Sequence, residues 1–441
     1  MDTENIIVSK FGSSAMANAE RIKKTAEIIK SDPRRLYVVV SAPGRISPEE
    51  IQIRDLLYIL YSKYEARENF QDTLTDIQTR FEEIVNELGV NFDIAGEIAE
   101  LNKTLLFGKS RDLIASRGEY IIAKILAAYL GWKFLDAAKI IFFNNDGTLN
   151  EAQTFAAISQ NLAKTPNVVM PGGYGSLEGN RILMSNARGD VAGAVIARVL
   201  GAGLYEKWTD HRGIYIADPT LVDESQKVRN VTYSELIELS YMGIAAINEE
   251  AMLMLKESGV TLSIRNVYHP EDKGTLVSAE LPQGTDRKVA ACISGRKSYK
   301  ILRIHKIGLN KMHGIGERIF NIFSRRGISC EHYISGIYNF AVILKNPMFD
   351  LKREEILKDI NIAINPEKIT VDKDLALIAI VGTGMGTVKG IFARIFDAIA
   401  EVGVKVQMIN QGADSLNIII GVRDEDFDKT IKALYQAMII E

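Results

Sequence analysis

The sequence predicts an α/β protein in which a mostly parallel sheet lies between layers of helices, followed by a pair of small α+β units. Two observations support this fold class. Up to about residue 280 short β-type runs alternate with amphipathic helical stretches, and from about residue 299 the chain consists of shorter units that repeat. Alternation of strands and helices is typical of a parallel sheet with crossover helices, and repetition indicates a duplicated unit.

Apolar runs mark the predicted strands of the first region. They are "RLYVVV" before the turn "SAPG", then "WKFLDA", "NVVMPGG" and "GLYEKWTD". Residues 48–130 interrupt this alternation, because apolar residues recur there at helical spacing, as at Leu56, Leu57 and Leu60. We therefore predict several packing helices over this segment, with solvated outer faces.

The last third of the sequence contains two similar segments. "ERIFNIFSRRGISCEHYISG" aligns without gaps with "ARIFDAIAEVGVKVQMINQG", so that Arg318 coincides with Arg394 and Gly327 with Gly403. Each copy has the order strand, helix, strand, strand, which indicates a duplicated α+β unit. "PQGTDRK", which begins at residue 282, has the turn-forming composition of a linker. The predicted division is a first domain over 1–281, a linker over 282–298, and the repeated units over 299–371 and 372–441.

Composition and charge argue against several classes of protein. The 441 residues include 53 Lys and Arg and 56 Asp and Glu, a net charge of −3, so neither nucleic acid nor an anionic membrane is an expected partner. Cys292 and Cys330 are too few for a disulfide framework or a four-ligand zinc site, and a reducing cytoplasm is the expected compartment. The acidic start "MDTENIIVSK" does not resemble a signal peptide, and we expect no membrane span.

Glycine-rich or acidic turns follow the predicted strands of the first region. They are "KFGSS" (10–14), "SAPGR" (41–45), "PGGYGSLEGNRILMSNARGD" (171–190) and "WTDHRGIYIADP" (208–219). Ligands of open parallel sheets collect at the carboxyl ends of strands, where such turns meet. Lys10 ends an apolar run, and a buried ammonium is costly unless it is paired, which favours a functional role.

These motifs resemble those of the aspartokinases, which have the amino acid kinase fold and phosphorylate the side-chain carboxylate of aspartate. "KFGSSAMA" is similar to the family's Lys-Phe-Gly-Gly-(Thr/Ser)-Ser-(Val/Leu)-Ala, "SRGE" (116–119) to its Ser-x-Gly-Glu, and "WTDHRGIYIADP" to its Trp-Thr-Asp-x-x-Gly-(Ile/Phe)-x-x-Ala-Asp-Pro. "SYMGIAAINEEAM" and "IRNVYHPEDKGTLV" resemble the segments that close its catalytic domain. The resemblance covers nearly the whole chain. It implies an amino-acid-kinase-like three-layer domain followed by two ferredoxin-like α+β ACT domains.

The resemblance also implies site residues. Lys10 is expected on the transferring phosphate, Asp190 is expected to organise Lys10 and the metal, and Glu119 is expected at the amino group of aspartate. Ser14 and Gly189 are expected beside the substrate. Implied cofactors are ATP and Mg²⁺, with the metal bound mainly through the nucleotide and not by a dedicated protein site. The implied nucleotide-binding residues are Lys10, Gly12, Ser13, Thr209, Asp210, Tyr215 and Asp218, with Arg265 near the phosphates; for Tyr215, ordinary packing is an equal alternative.

The implied chemistry needs few side chains. Phosphoryl transfer is mostly positioning and charge neutralisation by a lysine, backbone N–H groups and Mg²⁺. A carboxylate nucleophile with a pKa of about 3.9 is already ionised at neutral pH, so it needs no general base.

Several positions depart from the family pattern, mainly where aspartate is recognised. Arg54 lies where the family has a threonine, and the family's Arg-Gly-Gly-Ser-Asp is "NARGD", with Asn186 at the arginine. An α-carboxylate in a partly desolvated pocket needs a cationic partner. We infer that this partner has moved to Arg54, with Arg188 as one alternative and a merely solvated Arg54 as the other. The further departures are Ser13 for a glycine, Ala15 for a hydroxyl residue, Gln52 for a lysine, Gly189 for a serine and Asn248 for a histidine.

The paired ACT units imply control by an end-product amino acid bound between subunits. "GISCEHYISG" and "MINQG" resemble the effector sites, and this resemblance implies lysine ahead of threonine. Glu331 is then expected to meet an ammonium group of the effector. Expected partners are L-aspartate, ATP, this effector and further copies of the chain, in a homodimer or homotetramer through the ACT domains. The expected effector residues are Met312, Glu331, Ser335, Asn410 and Gln411.

Three functions remain open from the sequence. The chain is an active, feedback-regulated aspartokinase, a catalytically weakened relative that acts as an amino-acid sensor or regulatory subunit, or a kinase of another amino acid or small carboxylate. Retention of Lys10, Glu119 and Asp190 favours catalysis, since a pure sensor has no use for a phosphate lysine.

Overall fold

The computed structural model describes residues 6–178, 181–184, 189–284, 291–386, 388–412 and 416–439. The chain divides into two compact units. Among the described helices, none is long and apolar enough to cross a membrane. The first unit comprises Met1–Ile214, Lys227–Ile237 and Ala245–Thr285, and the second comprises Tyr215–Gln226, Glu238–Ile244 and Asp286–Glu441.

The first unit is built on a mostly parallel sheet, as predicted. Its strands are β1 (Ile7–Phe11), β2 (Arg35–Val40), β3 (Lys133–Phe134), β4 (Val168–Pro171), β7 (Leu204–Thr209), β8 (Asn230–Thr232), β9 (Thr261–Asn266) and β10 (Thr275–Ser278), with a separate hairpin of β5 (Tyr174–Ser176) and β6 (Ile182–Met184). Over the described residues the order is β3-β4-β2-β1-β7-β9-β10-β8, and β9 pairs antiparallel with β10.

Helices cover both faces of this sheet, which confirms the three-layer prediction. The helices are α1 (Ala19–Lys30), α2 (Ile53–Glu65), α3 (Gln71–Leu88), α4 (Ile94–Leu106), α5 (Arg111–Leu130), α6 (Glu151–Leu162), α7 (Asp190–Leu200), α8 (Tyr233–Tyr241) and α9 (Glu249–Ser258). One core joins α1–α5 to Phe11, Val38 and Trp208 of the sheet. On the other face, the Tyr37 hydroxyl donates to the Leu162 carbonyl of α6 at 2.8 Å.

The helices predicted over 48–130 are α2–α5, and the structure confirms them. Leu57 and Leu60 of α2 are fully buried in the core. Helix α5 begins after Ser110, whose hydroxyl accepts from the Leu113 amide at 3.3 Å, and ends at Gly131 in the left-handed conformation, with φ 69°. Both ends are thus capped, which stabilises the long helix that carries Glu119.

The second unit has one described sheet in the order β12-β13-β11-β14-β16-β15. Its strands are β11 (Cys292–His305), β12 (Cys330–Ser335), β13 (Asn339–Lys345), β14 (Lys368–Val381), β15 (Met408–Gln411) and β16 (Asn417–Arg423), and its helices are α10 (Ile315–Arg325), α11 (Asn346–Ile364), α12 (Ile391–Glu401) and α13 (Phe427–Ile439). The predicted duplication is confirmed, because α10 and α12 occupy matching positions of the two aligned segments.

The two repeated units share their longest strands. One half of β11, Cys292–Arg296, pairs with Leu377–Val381 of β14, and the other half pairs with both β13 and the start of β14. Strand β11 therefore begins inside the segment predicted as a linker over 282–298, because Cys292 and Ile293 are buried. The boundary predicted between 371 and 372 likewise lies within β14.

The boundary predicted at residue 281 also differs from the division in space. Residues 215–226 and 238–244 belong to the second unit. Ala217 and Val222 pack in the same apolar core as Ile293 of β11, which is the physical reason for the difference.

Candidate active site

The carboxyl ends of the parallel strands β4, β2, β1, β7 and β9 lie along one edge of the first sheet. Strand β1 is central, because it pairs with β2 on one side and β7 on the other. Its register brings Lys10 opposite Val39 of β2 and Lys207 of β7. Neighbouring strands are about 4.8 Å apart, so two lysines lie side by side on one face of the sheet.

Lys10, Lys207 and Asp190 form a buried group that we call the lysine cluster. Lys10 Nζ lies 3.2 Å from Oδ1 of Asp190, and Lys207 Nζ donates to Oδ2 at 2.7 Å. The side chains of Lys10 and Asp190 are each 7% exposed. Burial by itself would raise the pKa of the Asp190 carboxyl, but the ammonium groups of Lys10 and Lys207 hold this pKa below its ordinary value. The carboxylate therefore stays ionised between two cations.

Asp190 is held in place by the ends of two helices. It is the first residue of α7 and follows Gly189, whose φ of 83° is a left-handed conformation that favours glycine. The backbone amide of Asn248 donates to Oδ2 of Asp190 at 3.2 Å. Asn248 in turn begins α9, where its side chain accepts from the Ala251 amide at 3.3 Å. The residue that departs from the family's histidine thus contacts Asp190 through its backbone.

Glu119 and Arg54 meet at the same edge of the sheet. Glu119 of α5 is fully buried, and the Arg54 guanidinium of α2 forms an ion pair with its Oε1. The Gly173 amide donates to Oε2 at 2.5 Å, and a side chain at this position would collide with the carboxylate. The Arg54 side chain is 21% exposed, so it contacts both the buried carboxylate and solvent. The sequence-predicted partners of the substrate are therefore in direct contact.

The turn after β4 joins these two groups. A Cβ at Gly172 would lie 2.6 Å from Val39 Cγ1 and 2.9 Å from the Cα of Gly189, which precedes Asp190. Gly173, the next residue, donates to Glu119. Two consecutive glycines thus approach the residue before Asp190 on one side and contact Glu119 on the other, which places the two groups at the same edge of the sheet.

The turn after Lys10 is held by its carbonyl groups. Ser13–Met16 is a short 3₁₀ helix, and residues 12–14 are half-buried. The Ser13 carbonyl accepts from the Gly44 amide at 2.9 Å, and the Ser14 carbonyl accepts from Arg21 at 3.3 Å. The Gly12 amide donates to the Trp208 carbonyl at 3.1 Å, so it is already engaged in the sheet edge.

Arg80 of α3 positions the loop between β2 and α2, and sequence reasoning missed it. Its guanidinium donates to the Gly44 carbonyl at 2.7 Å and to the Ile51 carbonyl at 2.8 Å, and it lies 3.1 Å from Glu50 Oε1. The clamped loop leads directly into Arg54. No local pattern marks Arg80, because its partners are about thirty residues away in the sequence.

Thr209 and Asp210 lie at the end of β7. The Thr209 hydroxyl donates to Asp210 Oδ1 at 3.0 Å, and the Asn266 amide group donates to the Asp210 carbonyl at 2.7 Å. Alternate residues of a strand point to the same face, so Thr209 lies on the face of Lys207. Thr209 therefore lies on the same face of the sheet as the lysine cluster.

Arg265 lies on the other face of the sheet from the lysine cluster. It pairs in register with Trp208, lies 4.5 Å from the centroid of the indole, and is 3.4 Å from Glu206 Oε1. Glu206 and Trp208 flank Lys207 along β7, so alternation directs them to the opposite face of the sheet. The structure thus directs the Arg265 side chain to the face opposite Lys10, and its expected place near the phosphates stays a prediction.

Four further predicted substrate and nucleotide residues do not belong to the described part of the first unit. Tyr215 and Asp218 belong to the second unit, where the Tyr215 carbonyl accepts from the Cys292 thiol at 2.7 Å and Asp218 lies in an exposed turn. Asn186 and Arg188 lie outside the described residues.

The predicted effector residues lie in the second unit. Glu331 and Ser335 are on the edge strand β12, Asn410 and Gln411 are on the other edge strand β15, and Met312 precedes α10.

Two residues that the sequence did not indicate contact the predicted effector residues. His332 Nδ1 lies 3.2 Å from Asn410 Nδ2, and the Tyr241 ring packs edge-on against the His332 ring. The Tyr241 hydroxyl donates to Glu331 Oε2 at 2.5 Å, while Lys345 Nζ lies 3.3 Å from Glu331 Oε1. The Glu331 side chain is thereby 7% exposed and fully engaged.

Comparison with known proteins agrees with this architecture. The chain matches the amino acid kinase family over residues 5–266 and the ACT domain over residues 378–438. Aspartokinase 3 of Bacillus subtilis (strain 168) is 31% identical over 447 residues, which cover 97% of this chain and 98% of that one.

Solved structures extend the likeness to three dimensions. The crystal structure of Clostridium acetobutylicum aspartate kinase matches with a TM-score of 0.90 at 36% identity, over 98% of this chain and 99% of that one. E. coli aspartokinase III, in complex with aspartate and ADP or with lysine and aspartate, shares the fold with TM-scores of 0.76 and 0.74 at 22% and 21% identity, over 99% of this chain and 100% of each of those. The fold, the motifs and the full-length matches together show that the chain belongs to the aspartokinase family.

Proposed function

We propose that this chain transfers the γ-phosphoryl group of ATP to the side-chain carboxylate of L-aspartate, forming 4-phospho-L-aspartate, under feedback control by an end-product amino acid. The observation that carries the proposal is that the turn of Gly172 and Gly173 links the two groups, since it approaches Gly189, which precedes Asp190, and donates to Glu119. One end of this site is cationic, as phosphates require. The other offers both charges that an amino acid needs.

In the proposed reaction a side-chain carboxylate oxygen of aspartate forms a bond to the γ-phosphorus while the bond from phosphorus to the bridging oxygen of ADP breaks. ADP leaves with the electron pair, and no proton has to move. Catalysis is then positioning and charge neutralisation, for which Lys10 lies at the end of β1. Asp190 orients the Lys10 ammonium at 3.2 Å.

The donor set at Asp190 fits a magnesium ion that is bound mainly through the nucleotide. Asp190 Oδ1 accepts no hydrogen bond within the described residues, although it lies 3.2 Å from Lys10 Nζ. Mg²⁺ usually takes one or two carboxylates together with substrate phosphates. The described residues contain no group of three or more His, Cys, Asp or Glu side chains that would hold a metal by itself. We propose Asp190 as the protein ligand of Mg²⁺, which when bound neutralises phosphate charge.

Recognition of aspartate is proposed to open the Arg54–Glu119 pair. The α-ammonium of the substrate takes the place of Arg54 at Glu119, and the α-carboxylate takes the place of Glu119 at Arg54. Each buried charge keeps a partner throughout, which avoids the cost of an unpaired buried ion. Glu119 stays fixed meanwhile by the Gly173 amide at 2.5 Å.

Other predicted residues remain proposals around this centre. Thr209 and Asp210 are proposed along the nucleotide, on the strand that carries Lys207. Ser14 and Gly189 are proposed beside the substrate because Ser14 lies in the turn after Lys10 and Gly189 directly precedes Asp190. Further assignments that stay predictions are Gly12, Ser13, Tyr215 and Asp218 for the nucleotide and Asn186 and Arg188 for the substrate.

The proposed activity is tested by trapping the acyl phosphate with hydroxylamine. ATP, Mg²⁺ and a panel of amino acids and small dicarboxylates are supplied, and we expect hydroxamate from L-aspartate above all other acceptors. Hydroxamate from another acceptor, with none from aspartate, would show that the substrate is that other acceptor. If no acceptor gave hydroxamate, the chain would be a sensor or regulatory subunit and not an active kinase.

Regulation is proposed to act through Glu331. Its carboxylate already accepts an ammonium group from Lys345 and a hydroxyl from Tyr241. A free amino acid with a second ammonium group can replace Lys345 there, which favours lysine over threonine as effector. Ser335, Asn410 and Gln411 supply neutral hydrogen-bonding groups on the two edge strands, and Met312 an apolar contact.

We expect Tyr241→Phe to raise the affinity for lysine about threefold to tenfold. The hydroxyl competes with the effector for Glu331, and a hydrogen bond contributes about 0.5 to 1.5 kcal/mol net. Burial and the Glu331 carboxylate both raise the pKa of the Tyr241 phenol, so it remains a donor at neutral pH. Titration calorimetry measures the change.

The matched control is Tyr129→Phe, which removes a tyrosine hydroxyl from α5 of the first unit. Its lysine affinity should equal that of the wild type. Equal affinity for Tyr241→Phe as well would place the effector away from Glu331, and no heat with either lysine or threonine would contradict the regulation.

We further propose a homodimer or homotetramer formed through the ACT units in the cytoplasm. Tyr333, Ile337 and Tyr338 are 58%, 60% and 61% exposed on and just after the edge strand β12, where a second copy would cover them. Cys292 and Cys330 are both present as thiols, as suits a reducing compartment.

A further inference from the structure

Lys207 occupies a position that a purely structural lysine has no reason to take. It lies on β7 directly opposite Lys10, and its ammonium shares Asp190 with that of Lys10. Two like charges held against one carboxylate repel each other, and their burial adds a desolvation cost. Asp190 does not need both cations, since Lys10 and the Asn248 amide already contact it. The second lysine therefore adds positive charge where the fold alone requires none.

The surroundings of the cluster add to this charge. Asp190 is the first residue of α7, an 11-residue helix whose amino end carries partial positive charge. The three charged side chains of the lysine cluster carry two positive charges against one negative charge. Such a group is stabilised by an anion of more than one charge, as a polyphosphate is.

The opposite face of the same strand shows the contrast. There Glu206 is paired with Arg35 at 2.7 Å and also accepts from the Trp208 indole at 2.9 Å. The Arg35 guanidinium lies over the Trp208 ring, at 5.4 Å from its centroid. The Glu206–Arg35 pair lies on the face that α1–α5 cover, and the buried indole of Trp208 packs against it. This pair is therefore complete without a ligand. The lysine cluster instead adjoins the turns at the carboxyl edge.

We propose that Lys207 is a second phosphate-binding lysine, which holds the β-phosphate and the bridging oxygen of the nucleotide while Lys10 holds the γ-phosphoryl group. The assignment follows from strand order and alternation. Lys207 shares its strand and its face with Thr209, which precedes Asp210, on the nucleotide side of the proposed site.

In the transfer step this role is electrostatic. As the bond from the γ-phosphorus to the bridging oxygen breaks, negative charge develops on the departing ADP. Lys207 keeps its proton and neutralises this charge, while the new bond forms between the γ-phosphorus and the acceptor carboxylate. This inference rests on the proposed phosphoryl transfer, but it concerns the nucleotide and can be tested without an acceptor.

The test measures binding of MgADP and of inorganic tripolyphosphate by titration calorimetry on the full chain. Lys207→Met keeps the length and apolar stem of the side chain and removes its charge. We expect it to raise Kd for both ligands about tenfold, as loss of a hydrogen bond to a charged group does. Lys207→Arg should retain most of the affinity, and the exposed Lys133 of β3, as Lys133→Met, should leave Kd unchanged.

A merely structural role gives a different result. Lys207→Met would then lower the thermal unfolding midpoint of the free protein but leave Kd at the wild-type value, which would overturn the inference. Lys207→Gln answers the same question if the methionine variant does not fold. Wild-type protein that binds neither ligand would overturn it as well. Weakened binding in Lys207→Met together with no hydroxamate from any acceptor would uphold the inference and defeat the proposed function.

Discussion

Lys10→Ala is expected to lower kcat about a hundredfold to a thousandfold in a protein that still folds. The Lys10 ammonium is held 3.2 Å from Asp190 at the carboxyl end of β1, where the γ-phosphoryl group is proposed to pass to aspartate. A positioned charge that stabilises charge developing in a transition state contributes about 3 to 4 kcal/mol, which converts to this loss in rate. The hydroxamate assay at saturating ATP and aspartate measures it.

The fold should survive because Asp190 keeps two donors. Lys207 remains at 2.7 Å and the Asn248 amide at 3.2 Å, so the buried carboxylate is not left unpaired. Thermal unfolding should stay a single cooperative transition. Lys133→Ala, on the exposed strand β3, is the matched control and should keep the wild-type kcat. A Lys10→Ala variant that retains more than about a tenth of kcat would remove Lys10 from the mechanism.

Local pattern was sufficient to predict most of the fold. "RLYVVV" coincides with β2, because its consecutive apolar residues suit a strand buried on both faces. The gapless repeat predicted α10 and α12, whose helical spacing is retained in both copies. The sequence did not predict that the two copies share strands β11 and β14. A β-type run does not specify its neighbours, and pairing over such distances is decided by tertiary packing.

The candidate site likewise contains residues that the sequence predicted and one that it did not. Lys10, Asp190 and Glu119 were expected because motifs of the family carry them. Lys207 was missed, although it is a lysine in an otherwise buried strand, which was the argument used for Lys10. Its place opposite Lys10 depends on the register between β1 and β7, and the sequence of one strand does not reveal that register.

Arg265 shows what a motif leaves open. A motif placed it near the phosphates, but its pairing with Trp208 turns its side chain to the face of Glu206. Position in a motif fixes a residue along the chain, whereas strand alternation decides which face it serves.

Arg54→Ala is expected to raise KM for aspartate about tenfold to a hundredfold and to change KM for ATP little. Arg54 is the cation in contact with Glu119, and a hydrogen bond to a charged group contributes about 1.5 to 3 kcal/mol. Two explanations of such a defect must be separated. Arg54 either binds the α-carboxylate of the substrate, as proposed, or only neutralises the buried Glu119.

β-Alanine separates them, because it keeps the ammonium and the reacting carboxylate of aspartate but lacks the α-carboxylate. If Arg54 binds the α-carboxylate, the wild type prefers aspartate in kcat/KM, and Arg54→Ala loses this preference by weakening aspartate alone. If Arg54 only neutralises Glu119, both acceptors weaken by the same factor, because both present an ammonium to Glu119. Arg188→Ala, measured beside it, tests the other candidate: loss of the preference there, with none at Arg54, would assign the α-carboxylate to the turn before Asp190. The Arg54–Glu119 contact favours the first outcome, since a zwitterion can enter that pair without leaving either buried charge unpartnered.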